Sequence, residues 1–203
     1  MKRSTLLLLT AMLILAAAGG AWLSARTFEP ENLQFGTAIN PPQALPATQL
    51  VSQTGAGFDR SALEGRWSLV FFGFTHCPGV CPMTLTTLAQ VKKQLGGLSG
   101  AEVPQVVLVS VDPERDTPER LAGYVAQFDP SFIGVTGSDA AIDEFTAALG
   151  IAHKKIGAGD DYMIDHTAAI MMVDPKGRRV AVFSPPFTAE HLTSDYLRML
   201  GRG

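Results

Sequence analysis

The sequence is poor in cysteine, in aromatic residues and in charge. Aromatics make up 8% and charged residues 17% of its 203 residues, and the formal net charge is only −3. No basic stripe breaks this balance, which argues against nucleic acid as a partner. Internal repeats and low-complexity tracts are absent as well. Apolar residues are not scarce: at 46% they suffice for a core and speak against a chain disordered throughout. The length fits one domain with attachments.

Cysteine is the scarcest informative residue. Both cysteines fall in His76–Met83, "HCPGVCPM", four apart, each followed by proline and directly after the apolar run "SLVFFGF". The N-terminus supplies their context. Met1-Lys2-Arg3 precedes an uncharged apolar run from Leu6 to Leu23. Its length sits at the boundary between the core of a cleaved signal peptide, about 7–15 residues, and a spanning helix of roughly 17–25. We read residues 1–25 as a single uncleaved membrane anchor, with a cleaved signal peptide as the alternative. No cysteine follows the run, which excludes a lipoprotein anchor. Lys2 and Arg3 hold the N-terminus in the cytoplasm and leave the body across the inner membrane, facing the periplasm. Exposed thiols tend to pair there, so two neighbouring cysteines need a reason.

Residues 26–49 hold four prolines and no apolar periodicity, which reads as an extended Pro-rich tether. The folded domain is expected over 50–203, its elements ending near Leu200. "WSLVFFGF" (67–74) and "QVVLVSVD" (105–112) are continuous apolar runs, as in strands buried on both faces; "SFIGVTG" (131–137) is a third. "LTTLAQVKKQLGG" (85–97) has apolar residues at helical spacing. "TPERLAGYVAQF" (117–128) opens with a threonine N-cap and proline at the first helical position. "SDAAIDEFTAALG" (138–150) is a capped helix closed by glycine. Residues 167–185 read as two strands joined by Asp174-Pro175-Lys176-Gly177, and 188–200 as an amphipathic terminal helix. This order predicts an α/β fold with a mixed central sheet flanked by helices, of the thioredoxin-like kind.

Prolines constrain the cysteine loop. A proline inside a helix costs about 3 kcal/mol or more, so the helix is expected to start at Pro82 with Cys81 as its N-cap and Cys77 in the preceding loop. Both sulfurs would then feel the helix N-terminus, which favours thiolate, at the carboxyl end of a strand where open α/β sheets place their sites. A disulfide staple is a poor explanation, because closing a loop of about five residues is worth roughly 2 kcal/mol. A redox pair or a metal site remains. Two thiolates do not complete a structural zinc site, whereas two soft sulfurs and an imidazole suit copper.

Four histidines are available. His191 reads as a surface or satisfied residue of the terminal helix, His76 as a structural hydrogen-bonding residue, and His153 as solvated beside Lys154-Lys155. His166 stands before a threonine and the hairpin's first strand, where thioredoxin-like folds carry a proline opposite the cysteine loop. A metal-binding imidazole and a core histidine are both open there. Asp165 reads as a turn residue rather than its orienting partner. A thiol peroxidase, prompted by Thr75, lacks a motif-placed arginine beside the thiolate.

"FFGFTHCPGVCP", "SVDPERDTPERL" and "DHTAAIMMVDPKG", in this order and spacing, resemble the Sco/SenC family of copper chaperones for cytochrome oxidase assembly. The likeness runs from about Leu50 to Leu200 and includes "ALEGRWSLV" and the N-terminal anchor. The resemblance implies copper held by Cys77, Cys81 and His166. It implies delivery to, or thiol reduction at, the binuclear copper (CuA) site of cytochrome c oxidase subunit II or a related terminal oxidase. A periplasmic copper carrier or thioredoxin-like reductase would be a further partner. Many members have an acidic or polar residue between the cysteines where this chain has Gly79. Asp112 and Asp116 look like the family's acidic pair; turn and helix-cap chemistry is the expected role. Met171 and Met172 are expected to pack in the core. The competing activity is that of a thiol–disulfide oxidoreductase using Cys77 and Cys81.

Overall fold

The computed structural model describes residues 33–159 and 161–201. The anchor expected over residues 1–25 lies outside them. Among the described residues, no helix is long and apolar enough to cross a membrane.

Among the described residues, ten strands and four α-helices follow one another. They are β1 (Thr37–Ala44), β2 (Leu50–Ser52), β3 (Gly57–Phe58), β4 (Ser68–Gly73), α1 (Val80–Gly96), β5 (Gln105–Ser110) and α2 (Pro118–Val125). Then come β6 (Ile133–Thr136), α3 (Asp139–Leu149), β7 (His153–Ile156), β8 (Met163–His166), β9 (Ile170–Val173), β10 (Arg178–Phe183) and α4 (Ala189–Met199). Eight strands form one sheet in the order β1-β10-β9-β4-β5-β6-β2-β3, and β7 and β8 form a separate two-stranded ribbon. The fold is mixed α/β with a central sheet flanked by helices, as expected.

The apolar runs become the middle of the sheet. All six residues of β4 and all six of β5 are buried, and the strands pair in parallel, Ser68 with Gln105 through Gly73 with Ser110. Strands covered on both faces carry no alternation, which is why these segments read as unbroken apolar stretches. Leu85, Leu88, Val91 and Leu95, the helical stripe read from sequence, are wholly buried on α1; each buries a side chain worth about 1.5–3 kcal/mol. Caps fall where expected. Thr117 Oγ1 accepts from Arg120 N at 3.3 Å and Ser138 Oγ from Ala141 N at 3.2 Å. The β9–β10 turn closes through Asp174 Oδ1, which accepts from Lys176 N and Arg178 N at 2.9 and 3.0 Å.

Two expectations need correction. The segment expected as a tether over 26–49 does not run free of the domain in its described part. Thr37–Ala44 adds to β10 as an antiparallel edge strand, with a register break between Ala38 and Gln43 that takes up Pro41 and Pro42. Prolines are tolerated on an edge strand because their missing N–H costs no ladder bond there. The preceding residues are also tied down, since the buried Asp195 accepts from the N–H groups of Gln34, Phe35 and Gly36, each at 2.8 Å. The folded part therefore reaches back to Leu33 rather than starting at residue 50.

The helix after the cysteine loop also starts earlier than Pro82. Gly79 is the N-cap and Val80 the first helical residue, so Cys81 lies inside the first turn. The third helical position has no partner for its N–H in any helix, and the carbonyl that the Pro82 ring would strike four residues back, on Pro78, lies before the helix. The usual penalty for an internal proline does not arise.

Topology then assembles the site. β4 and β5 end in register at Gly73 and Ser110, so the loops that follow emerge side by side. β9 runs antiparallel to β4, with Ile170 opposite Phe71. The segment entering β9, which includes His166, arrives at the same edge.

Candidate metal centre

Cys81 is the fixed point of the site. It is wholly buried, and a Cβ on Gly73 would lie 2.9 Å from its sulfur, so only glycine at 73 lets the thiol pack against the strand. Cys77 is half-buried and both cysteines are free thiols. The Cys81 backbone N–H donates to Cys77 Sγ at 3.4 Å, which draws the two side chains together. Cys77 N in turn donates to Phe74 O at 3.3 Å, and Met83 N to Gly79 O at 3.2 Å.

His166 closes the cluster from the other side. Its Nε2 lies 3.7 Å from Cys81 Sγ, and its Nδ1 lies 3.3 Å from the Thr167 carbonyl. A carbonyl only accepts, so Nδ1 carries the proton and the Nε2 lone pair faces the sulfur. Edge-on contacts with Phe71 and Phe74, at ring-centroid distances of 6.4 and 5.9 Å, frame the imidazole. Burial pushes its pKa below the usual histidine range, with the Thr167 carbonyl acting in the opposite direction. The neutral ring, the form that binds metal, is thereby favoured. Burial pushes the Cys81 thiol well up, assisted by the neighbouring Cys77. Desolvation outweighs the helix dipole at Cys81, contrary to the thiolate expected from the sequence.

The structure thus brings Cys77, Cys81 and His166 together and leaves the other histidines aside. His76 lies 3.3 Å by Nδ1 from Thr75 Oγ1 and accepts from Arg120 Nη2 at 3.0 Å, the structural role expected. His191 stacks on Phe35 at 3.7 Å. His153 is not solvated: its Nε2 sits 3.1 Å from Thr146 Oγ1 and 3.2 Å from Asp143 Oδ1. Asp165 is exposed but lies within β8 opposite Lys154 rather than in the turn expected. Met171 and Met172 are core residues of β9. An arginine missed by motif does reach the loop, since Arg120 Nε donates to Thr75 Oγ1 at 3.1 Å. Its Nη2 is spent on His76. The Tyr124 hydroxyl is buried without a hydrogen-bond partner among the described residues, and the Cys81 and Cys77 sulfurs lie within electrostatic range of it.

Asp112 and Asp116 are buried, and the helix-cap role expected of the pair falls to Thr117 alone. Together with His76 they offer ligand atoms within 4.8 Å of one another. Those atoms are already engaged: Asp112 accepts from Arg115 Nε and Tyr162 OH, and Asp116 from Thr75 and Ser110. The cluster is a satisfied hydrogen-bond network.

At Gly79 a Cβ would meet nothing within 4 Å. Crowding therefore does not require glycine at this position.

Comparison with known proteins agrees with this geometry. The mitochondrial Protein SCO2 homolog of Bos taurus is 35% identical over 200 residues, covering 96% of this chain and 74% of its own. A copper-bound crystal structure of Arabidopsis thaliana ScoI superposes with a TM-score of 0.73 at 30% identity, over 82% of this chain and 100% of that one. BsSco, described with a disulfide switch as a member of the Sco family of cytochrome c oxidase assembly proteins, gives a TM-score of 0.62 at 26% identity over 80% and 96%. The SCO1/SenC family model matches residues 38–201, from the first strand to the end of the terminal helix, and the chain belongs to that family.

Proposed function

We propose that this protein is a copper metallochaperone of cytochrome c oxidase assembly, carrying copper on Cys77, Cys81 and His166. The observation that carries the reading is the 3.7 Å approach of His166 Nε2 to Cys81 Sγ, with Nδ1 occupied by a carbonyl and Cys77 Sγ held on the Cys81 N–H. Two soft sulfurs and one neutral imidazole select Cu(I), and an imidazole also accommodates Cu(II). Copper-bound ScoI and the oxidase-assembly description of BsSco support the same cargo and destination. Binding releases the thiol protons, and the high pKa of Cys81 makes that release the costly part of loading. Half-exposed Cys77 is the ligand an acceptor reaches first. Delivery to the CuA site of subunit II, by a domain tethered at residues 1–25 on the periplasmic face of the inner membrane, completes the proposal. The tether raises the effective concentration at a membrane-embedded oxidase without any added contact.

Copper titration of the full chain and of His166→Ala tests it. Loss of His166 is expected to weaken Cu(II) binding by at least about tenfold and change the Cu(II) spectrum; equal affinity and spectrum overturn the three-ligand site.

The asymmetry of the thiols favours one second reading, a thiol–disulfide reductase. Accessible Cys77 would attack a target disulfide as thiolate, expelling one target thiolate. Buried Cys81 would then attack the mixed disulfide and expel the other. The target leaves as a dithiol and this chain as a Cys77–Cys81 disulfide. A Cys77–Cys81 potential below that of the target disulfide, with measurable exchange, would favour it, whereas a very low potential that resists exchange with target thiols, or one above that of the target cysteines, would rule it out.

A further inference from the structure

Asp112 and Asp116 are four residues apart, yet each holds a different ligand-bearing element. Asp116, wholly buried, accepts from Thr75 N at 3.0 Å and from Thr75 Oγ1 at 2.6 Å. It grips the loop two residues before Cys77. Asp112, 2% exposed, accepts from Tyr162 OH at 2.6 Å. Tyr162 is buried and immediately precedes β8, the strand that ends at His166.

The grip on the histidine arm is elaborate. Arg115 bonds Asp112 through Nε at 2.6 Å and donates Nη1 to the Tyr162 carbonyl at 3.0 Å. The Arg115 guanidinium and the Lys155 ammonium each lie 3.6 Å from the Tyr162 ring centroid. Lys155, on β7, also bonds Glu114 at 2.6 Å. A further polar tie joins β7 to α3 through His153, at Thr146 and Asp143, but burial is sparse: β7 has one half-buried residue among exposed ones, and β8 a single buried one.

Ser110 joins the two grips. Its hydroxyl donates to Asp116 Oδ2 at 2.6 Å and accepts from the Asp112 N–H at 3.0 Å. A chain of contacts therefore runs from Tyr162 to the Asp112 carboxylate, from the Asp112 N–H to Ser110, and on through Asp116 to Thr75. Bonds to carboxylates are about twice as strong as neutral ones, and buried networks act as units.

We propose that Asp112 and Asp116, coupled through Ser110, are positioning residues that set the histidine arm against the cysteine loop, with Tyr162 as the latch of the arm. The proposal rests on the reading of Cys77, Cys81 and His166 as the copper site, but half of its test needs no copper.

Amide hydrogen exchange on the copper-free full chain is compared for the wild type, Tyr162→Phe, Asp116→Asn and Ser110→Ala. Tyr162→Phe keeps the ring and its packing and is expected to speed exchange in residues 153–166 by about tenfold, the effect of about 1.4 kcal/mol, with α4 unchanged. Asp116→Asn is expected to do the same for residues 75–79. The two changes should combine non-additively, and the non-additivity should vanish in the Ser110→Ala background. For copper, Tyr162→Phe should weaken Cu(II) binding about ten- to hundredfold, the range for residues that orient metal ligands, while the Cu(II) spectrum keeps its imidazole signature. Wild-type exchange in both variants, or a uniform rise across the domain, overturns the proposal. If His166→Ala binds copper like the wild type, the copper site is wrong, and the exchange pattern still decides the latch.

Discussion

The site's two halves are built by opposite means. The cysteine loop leaves a strand whose six residues are all buried, and Cys81 is itself a core residue, packed where Gly73 makes room. The histidine comes on a two-stranded ribbon outside the main sheet, made of segments as polar as "HKKI" and "MIDH" and held by charged and phenolic groups. Packing dominates at Cys81, with the Asp116–Thr75 bonds added in the loop before it, whereas polar contacts dominate along the histidine ribbon.

Changes in the packed half should have the largest effect on folding. Phe71→Ala is expected to cost about 3–5 kcal/mol by chemical denaturation, because the ring is wholly buried in β4. Gly73→Ala should cost about 1–3 kcal/mol through overpacking, since its Cβ would sit 2.9 Å from both Cys81 Sγ and the Phe71 ring. It should also disturb copper binding by shifting Cys81. If it left stability and copper unchanged, the packed half would be looser than described. His166→Ala reverses the pattern, with a stability change within about 1 kcal/mol by the same denaturation against the loss of Cu(II) affinity. Ser138→Ala, which removes an N-cap from α3 and no bond to a ligand residue, should cost about 1 kcal/mol and leave copper titration untouched.

The smallest effect is a pH dependence in the arm. The Lys155 hydrogen bond and charge hold the exposed Glu114 carboxyl below its ordinary value. A depressed folded-state pKa stabilises above the unfolded value of about 4.3, and that contribution fades as pH falls through the folded value. Exchange in residues 153–166 should therefore rise at acid pH more steeply in the wild type than in Glu114→Gln. Identical profiles would show the pair to be fully screened.

The same contrast explains what could be read in advance. β4, β5 and α1 were legible because burial imposes runs and stripes of apolar residues, and α2 and α3 because Thr117 and Ser138 mark their starts. The ribbon left no such trace, since a polar arm has neither alternation nor an apolar stripe. β1 was hidden by Pro41 and Pro42, which are acceptable only on an edge. The thiols and His166 stood out by rarity and by the family motifs. Tyr162 and Ser110 did not, because a latch across 50 residues is a tertiary fact. The thiolate expected at Cys81 failed for a related reason: local position predicted the dipole, but not the burial that outweighs it.

X-ray absorption of the copper-loaded full chain tests the central claim most directly. Two sulfur neighbours and one imidazole nitrogen are expected for the wild type, with the nitrogen scattering lost in His166→Ala. A copper shell without imidazole, or one unchanged by that substitution, would contradict the account.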